Sequence, residues 1–402
     1  MSDGPYQVFF GARLFDGLTM RDDCAVVVES GAVVAVAPTS ERPRGGEQID
    51  LSGGVLSPGL IDWQVNGGGG VLFNATPTPE ALAAIAAAFR RSGVTAIVPT
   101  VITDSPAVLV AALAAAGEAT RTTPGVLGVH VEGPFIDPRR KGVHLAEFIR
   151  PMRERDRDQL VAAKAGAMVV TLAPSAASPA LIASLAAAGI VVSLGHAEAT
   201  AEEARAAFAA GARAVTHLFN AMSQLGSRAP GLVGAALADP AIVCGLIADG
   251  HHVHPAALRA AINAKGAGGI ALTSDAMPPA AGGPSVFTLQ GRRMRRDGSR
   301  LIDDFDTLAG GVVTLLDAVR YVVETLDLPL AEALSMATST PARLLGFEGR
   351  IGAVAPGARA DLVHFADDLT LRGVWLAGEP QAPDPKGLTA ASARLREDAR
   401  SM

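Results

Sequence analysis

From residue 58 onward the chain repeats one pattern eight times: a short run of apolar, often β-branched residues, then an alanine-rich amphipathic stretch of helical length. The apolar runs lie near 60–65, 95–100, 126–131, 168–172, 190–195, 213–217, 242–247 and 270–274. Strands joined through helices must run parallel, because a hairpin turn cannot return the chain to the same end of the sheet. Eight such units, over roughly the length of one barrel, predict an α/β fold: a closed (β/α)8 TIM-type barrel in preference to an open doubly wound sheet.

The two ends of the chain read differently. Residues 5–57 alternate apolar and polar positions between glycines, as in AVVVESGAVV at 25–34, which predicts short antiparallel strands. Residues 350–378 return to that alternation. The expectation is a small, discontinuous β-sandwich domain built from 1–57 and 346–380, a barrel over 58–345, and a peripheral tail at 381–402. Residues 282–305 are polar, turn-rich and too long for an ordinary loop after a strand, so they are a candidate lid or hairpin over the site. Helices are expected at about 310–326 and 330–345.

Composition narrows the class of function. With 402 residues, 49% of them hydrophobic, the chain can bury a large core. Lysine and arginine number 34 against 40 acidic residues, and the longest basic run is Arg139-Arg140-Lys141, which leaves no nucleic-acid footprint and points to a small-molecule partner. Cys24 and Cys244 stand far apart in sequence and outside any C-x-x-C spacing, which argues against a disulfide framework, a thiolate metal site or a redox pair and favours a reducing cytoplasm. The N-terminal residues lack a basic targeting region, and the apolar runs are too short and too broken to span a bilayer, so no membrane association is expected.

In a barrel of this kind the working side chains sit at the C-terminal ends of the strands. Strand one ends at Gln64 and Asn66, strand three at Glu132, strand five at His196, strand six at His217, strand seven before His251 and His252, and strand eight at Asp275. Glu132, His196 and His217 offer one carboxylate and two imidazoles, a set suited to Zn²⁺ or another divalent first-row ion with a position left for water. The 21 residues from His196 to His217 are the length of one helix, its connections and the next strand, so both imidazoles fall on one barrel mouth. Such an ion polarises a carbonyl and makes water acidic, while Asp275 can take a proton and return it to a departing amine, which describes amide hydrolysis. His130 and His364 read as structural, His251 and His254 as loop residues, and the glycines after Asn66 as a flexible turn that also permits close ligand approach.

Spaced segments carry a resemblance over nearly the whole chain: PGLIDWQVNG (58–67), HVEGPFIDPRRKGVH (130–144), LGHAEAT (194–200), VTHLFNAM (215–222), RAPGL (228–232), IADGHHVHP (247–255), TSDAM (273–277) and TLAGG (307–311). Together they resemble the N-acetylglucosamine-6-phosphate deacetylase family of the amidohydrolase superfamily. The resemblance implies Glu132, His196 and His217 as metal ligands, Asp275 as catalytic base and acid, and His144 as a group holding the acetyl carbonyl. It implies that Val143, Asn220, Ala221, Leu308, Ala309 and Gly310 line the sugar pocket. His252 and Arg228 would meet the phosphate, Arg228 reaching across from the second subunit of a homodimer. Most relatives in the wider superfamily carry His-x-His at the end of strand one, where this chain has Gln64-Val65-Asn66. Amides are poor zinc ligands, so the expectation is one divalent ion, Zn²⁺, per subunit. The galacto epimer of the sugar is an alternative substrate, and a metal-free scaffold is the alternative outside enzymes.

Overall fold

The computed structural model describes residues 6–381. Eight parallel strands follow one another around a barrel: β1 (Leu60–Val65), β2 (Val94–Ile102), β3 (Gly128–Glu132), β4 (Ala167–Leu172), β5 (Val191–Leu194), β6 (Ala214–Val215), β7 (Val243–Leu246) and β8 (Ile270–Leu272). Each pairs with its neighbour in sequence. Just past β1 and β8 the ring closes: Val65 bridges Ala276 in parallel, and the N–H groups of Asn66 and Gly67 both donate to the Ala276 carbonyl. Helices α1 (Pro79–Arg90), α2 (Pro106–Thr122), α3 (Glu154–Ala162), α4 (Pro179–Ala187), α5 (Ala201–Ala209), α6 (Gly231–Ala238), α7 (Pro255–Lys265) and α8 (Leu315–Glu324) follow the strands in turn. The expected (β/α)8 fold is the observed one.

The helix starts are written locally. Thr78, Ser105, Ser178 and His254 each accept a first-turn N–H, and each precedes a proline whose missing N–H costs nothing there. Thr200 with Glu203 and Thr314 with Asp317 form reciprocal capping boxes on α5 and α8.

Side chains facing the barrel interior stack in tiers. The lowest tier is apolar: Ile61, Trp63, Ala96, Val98, Val169, Val191, Ala214, Val243 and Ala271 share one cluster with Ala342, Leu344, Leu345 and Ile351 from the chain beyond α8. Two residues further along the strands the inward positions turn polar. Thr100, His130, Thr171, Thr216 and Ser193 form a buried chain of contacts, at 3.2, 2.7, 2.6 and 2.6 Å in that order. His130 is therefore a hydrogen-bonded interior residue, and burial pushes its pKa down to about 4, which keeps the imidazole neutral. Above this tier stand Glu132, His196, His217 and Asp275.

Strands from both chain ends share a six-stranded sheet: Leu362–Phe365 pairs antiparallel with Val55–Pro58, with Val363 opposite Ser57. A four-stranded sheet made of Tyr6–Phe10, Cys24–Glu29, Ala32–Pro38 and Glu47–Asp50 accompanies it. Phe9, Val26, Val28, Leu14, Leu56 and Leu362, from both sheets, form one core. His364 donates or accepts nothing near the barrel mouth; its Nε2 lies 2.7 Å from the Gly53 carbonyl, a structural role. Beyond Gln381 the expected tail lies outside the described residues.

Residues 282–305 hold a three-stranded antiparallel sheet, Val286–Leu289, Arg292–Asp297 and Arg300–Asp303. Its buried Leu289, Met294 and Leu301 pack on Val143, Met277 and Ala309, so it forms a wall of the barrel mouth. The helix expected at 330–345 is two, α9 (Leu330–Ala337) and α10 (Ser339–Leu344), broken at Thr338 with φ −133° and ψ −81°. Pro341 explains the break: it has no N–H to bond the carbonyl four residues back, and its ring crowds that carbonyl unless a new helix begins nearby.

Candidate active site

Glu132 ends β3, while His196 and His217 sit just past β5 and β6. Glu132 Oε1 lies 3.0 Å from His217 Nε2 and 3.3 Å from His196 Nε2, and the two imidazole nitrogens are 3.1 Å apart. These are close to the edges of a tetrahedron whose bonds are those of four-coordinate zinc, where ligand atoms are about 3.3 Å apart. Among the described residues this is the one group of three such side chains that could hold a metal ion, and all three are buried. The carbonyl of Arg140 lies 2.8 Å from His196 Nδ1 and accepts its proton, which fixes the ring with Nε2 toward the cluster. Burial opposes ionisation of Glu132, but His196 and His217 outweigh it and hold the carboxyl well below its usual range. The donor set therefore fits a divalent ion.

Asp275 lies just past β8. Burial and the charge of Glu132 push its carboxyl up to about 6, against the pull of His217, His252 and Asn66. A carboxyl near neutrality can both take and return a proton. The Gln-x-Asn at the end of β1 occupies itself with these two acids. Gln64 Nε2 donates to both oxygens of Glu132, at 3.2 and 3.3 Å, and Asn66 Nδ2 donates to Asp275 Oδ1 at 2.7 Å. His196, His217 and Asp275 all take positive φ, at 47°, 32° and 48°. Such backbone is uncommon outside glycine and costs of order 1–3 kcal/mol per residue, a strain found where side chains must be aimed.

The remaining candidates arrive on loops. After β3 come Val143 and His144, after β6 Asn220 and Ala221, after β7 His252, and after β8 Leu308, Ala309 and Gly310. With the cluster and Asp275 they all line one cavity of about 400 Å³, within the range of small-molecule sites. His144 Nδ1 lies 2.8 Å from Thr103 Oγ1 and accepts the Thr103 backbone N–H at 3.3 Å, and burial pushes this imidazole's pKa well down, so the neutral ring carries its proton on Nε2. Gly133 permits that contact, because a Cβ there would run into Thr103 Oγ1. Arg228 is the exception: it is exposed on the loop before α6 and does not line the cavity of its own chain.

Several lining or supporting residues have no role assigned to them in the sequence reading. Thr103, Asp249, Arg139, Arg140, Met277 and Thr307 belong to this set. Thr103 and Asp249 follow β2 and β7 closely, so strand-end position was a usable signal for both. Arg139 and Thr307 stand inside the segments quoted above, but far from any strand end, so that signal did not reach them. Asp249 is fully buried and accepts the N–H groups of His251 and His252 on Oδ1, both at 2.9 Å, while Oδ2 lies 2.7 Å from His252 Nδ1.

Residues 55–386 match the Amidohydrolase family. The chain belongs to that family. This amidohydrolase is 40% identical over 372 residues to an N-acetylgalactosamine-6-phosphate deacetylase of Shewanella sp. (strain ANA-3), covering 92% of this chain and 94% of that protein. It is 35% identical to the N-acetylglucosamine-6-phosphate deacetylase of Haemophilus influenzae, covering 89% and 94%. Among solved structures, an N-acetylglucosamine-6-phosphate deacetylase from Pasteurella multocida superposes with a TM-score of 0.91 at 31% identity, over 94% of this chain and all of that one. No described helix is long and apolar enough to cross a membrane.

Proposed function

We propose that this amidohydrolase cleaves the N-acetyl amide of N-acetyl-D-glucosamine 6-phosphate, giving D-glucosamine 6-phosphate and acetate. The observation that carries the reading is the buried Glu132–His196–His217 cluster sharing a cavity of about 400 Å³ with Asp275. Glu132, His196 and His217 would hold one Zn²⁺, which would supply Lewis acidity and lower the pKa of water. Asp275, with Oδ1 held by Asn66, uses Oδ2 to take a proton from the attacking water. The water oxygen bonds to the acetyl carbon, the C–N bond breaks, and Asp275 returns the proton to the sugar nitrogen. His144 donates from Nε2 to the acetyl carbonyl oxygen as charge builds there. Val143, Asn220, Ala221, Leu308, Ala309 and Gly310 enclose the sugar. His252 meets the phosphate, joined by Arg228 of the partner subunit in a homodimer. The two cysteines, both free and buried, suit a reducing cytoplasm.

A second reading, the same reaction on the galacto epimer, is favoured by the 40% identity to the Shewanella protein named for that substrate. Acetate release from both epimers, after chelation and after zinc add-back, tests the two together. The expected result is release from the gluco sugar that chelator abolishes and zinc restores. A larger kcat/KM on the galacto sugar puts the second reading in place of the first, and release from neither sinks both.

A further inference from the structure

We propose that Asp249 is a positioning residue that holds His252 as an imidazolium with its Nε2–H presented to the phosphate of the bound sugar. The inference rests on the substrate reading above and adds to it the device that makes His252 a cationic donor. Three observations carry it. His252 Nδ1 is 2.7 Å from Asp249 Oδ2, so that nitrogen keeps its proton and the ring cannot turn over. His252 Nε2 is buried and has no partner among the described residues, yet His252 lines the cavity. Asp249 itself is locked, its other oxygen taking the N–H groups of residues 251 and 252.

A phosphate dianion has only acceptor oxygens. A neutral His252 protonated at Nδ1 would turn a lone pair on Nε2 toward it and repel it. Only the imidazolium has a proton on both nitrogens, so a carboxylate at 249 and an anion in the cavity are the two counter-charges this ring is built between. The electrostatics agree. Burial lowers the imidazole's pKa, but the charge and hydrogen bond of Asp249 outweigh it, helped by Asp275 and opposed by His217, and the net direction is up. Asp249 is pushed down to about 2: burial raises it, but the charge of His252 and its hydrogen bonds prevail. Of the other ionisable groups nearby, His251 has its Nε2 2.6 Å from Ser299 Oγ, His254 caps α7 through Nδ1, and Tyr321 on α8 has its pKa raised by burial and Asp249 and stays neutral.

The test is Asp249→Asn in the full-length, zinc-loaded protein. Asparagine keeps an oxygen for the two backbone N–H groups, and its amide then faces His252 Nδ1, which leaves a neutral ring. The expected result is a loss of about tenfold in the preference for N-acetylglucosamine 6-phosphate over N-acetylglucosamine, the difference between a charge-assisted and a neutral hydrogen bond. KM for the phosphorylated sugar rises in the wild type as pH climbs through the raised pKa of His252, and that limb moves to lower pH in the variant. In a His252→Gln background Asp249→Asn should remove little further preference, because the two act as one unit. An unmoved pH limb, or a full additional loss in the His252→Gln background, overturns the inference and assigns Asp249 to turn structure alone. Wild-type protein that shows no preference for the phosphorylated sugar overturns the substrate reading first and this inference with it.

Discussion

A carboxyl that must take a proton and give it back works best with one oxygen fixed and the other free. Asn66 Nδ2 on Oδ1 of Asp275, at 2.7 Å, provides the fixed side. Asp275→Asn should therefore keep its metal, measured by atomic emission, and lose roughly 10²–10⁴-fold in kcat, the usual contribution of a placed acid or base. Unchanged turnover in that variant would remove Asp275 from the chemistry. Asn66→Leu should also keep its metal and lose about tenfold in kcat, the worth of one charge-assisted hydrogen bond. At this scale the sequence revealed positions better than relations: that Glu132, His196, His217 and Asp275 meet at one barrel mouth was readable from strand-end position. The pairing of Gln64 with Glu132 and of Asn66 with Asp275 was not, because the partners are separated by 68 and 209 residues.

At the scale of elements, barrel closure hinges on a contact between the first and last strands. Asp62 on β1 is fully buried and accepts from Thr273 Oγ1 at 3.1 Å and from the Ser274 N–H at 3.2 Å, beyond β8. Burial pushes its carboxyl from the usual 3.8 up to about 6, against these hydrogen bonds. A folded pKa above the unfolded one means that the group's contribution is full below pH 3.8 and is lost as pH rises through about 6. Ionising it in the folded barrel costs about 3 kcal/mol. Asp62→Asn keeps an acceptor but does not titrate. The stability difference, variant minus wild type, should grow by that order between pH 4 and pH 8 in parallel urea titrations, and a difference flat across the range would show that Asp62 ionises at no cost. The eight strands were legible because each is an apolar run bounded by turn residues. The break between α9 and α10 was missed because its apolar period continues through Thr338, although Pro341 carried the signal.

At the scale of the whole molecule, the exposed position of Arg228 separates two arrangements. If it serves a neighbour's site, Arg228→Ala should raise KM for the phosphorylated sugar far more than for an unphosphorylated analogue. Mixing unfolded Arg228→Ala and Asp275→Asn chains and refolding them together should then regain turnover. A mixed dimer has one site with an intact Asp275 and an intact partner arginine. Recovery no greater than the sum of the separate variants would confine Arg228 to its own chain.

Periodicity and strand-end chemistry are properties of short segments, so the sequence by itself determined the eight-fold barrel, the sandwich strands at both ends, and the placing of Glu132, His196, His217 and Asp275 at strand ends. Only the tertiary structure decided what those residues do to each other. It gave the tiered interior of threonines around His130, the amides that hold Glu132 and Asp275, and the buried Asp249 behind His252. These are contacts between side chains on different strands or across a tight turn, and they exist only once closure of the ring has brought the strand ends within hydrogen-bonding distance and excluded water from between them.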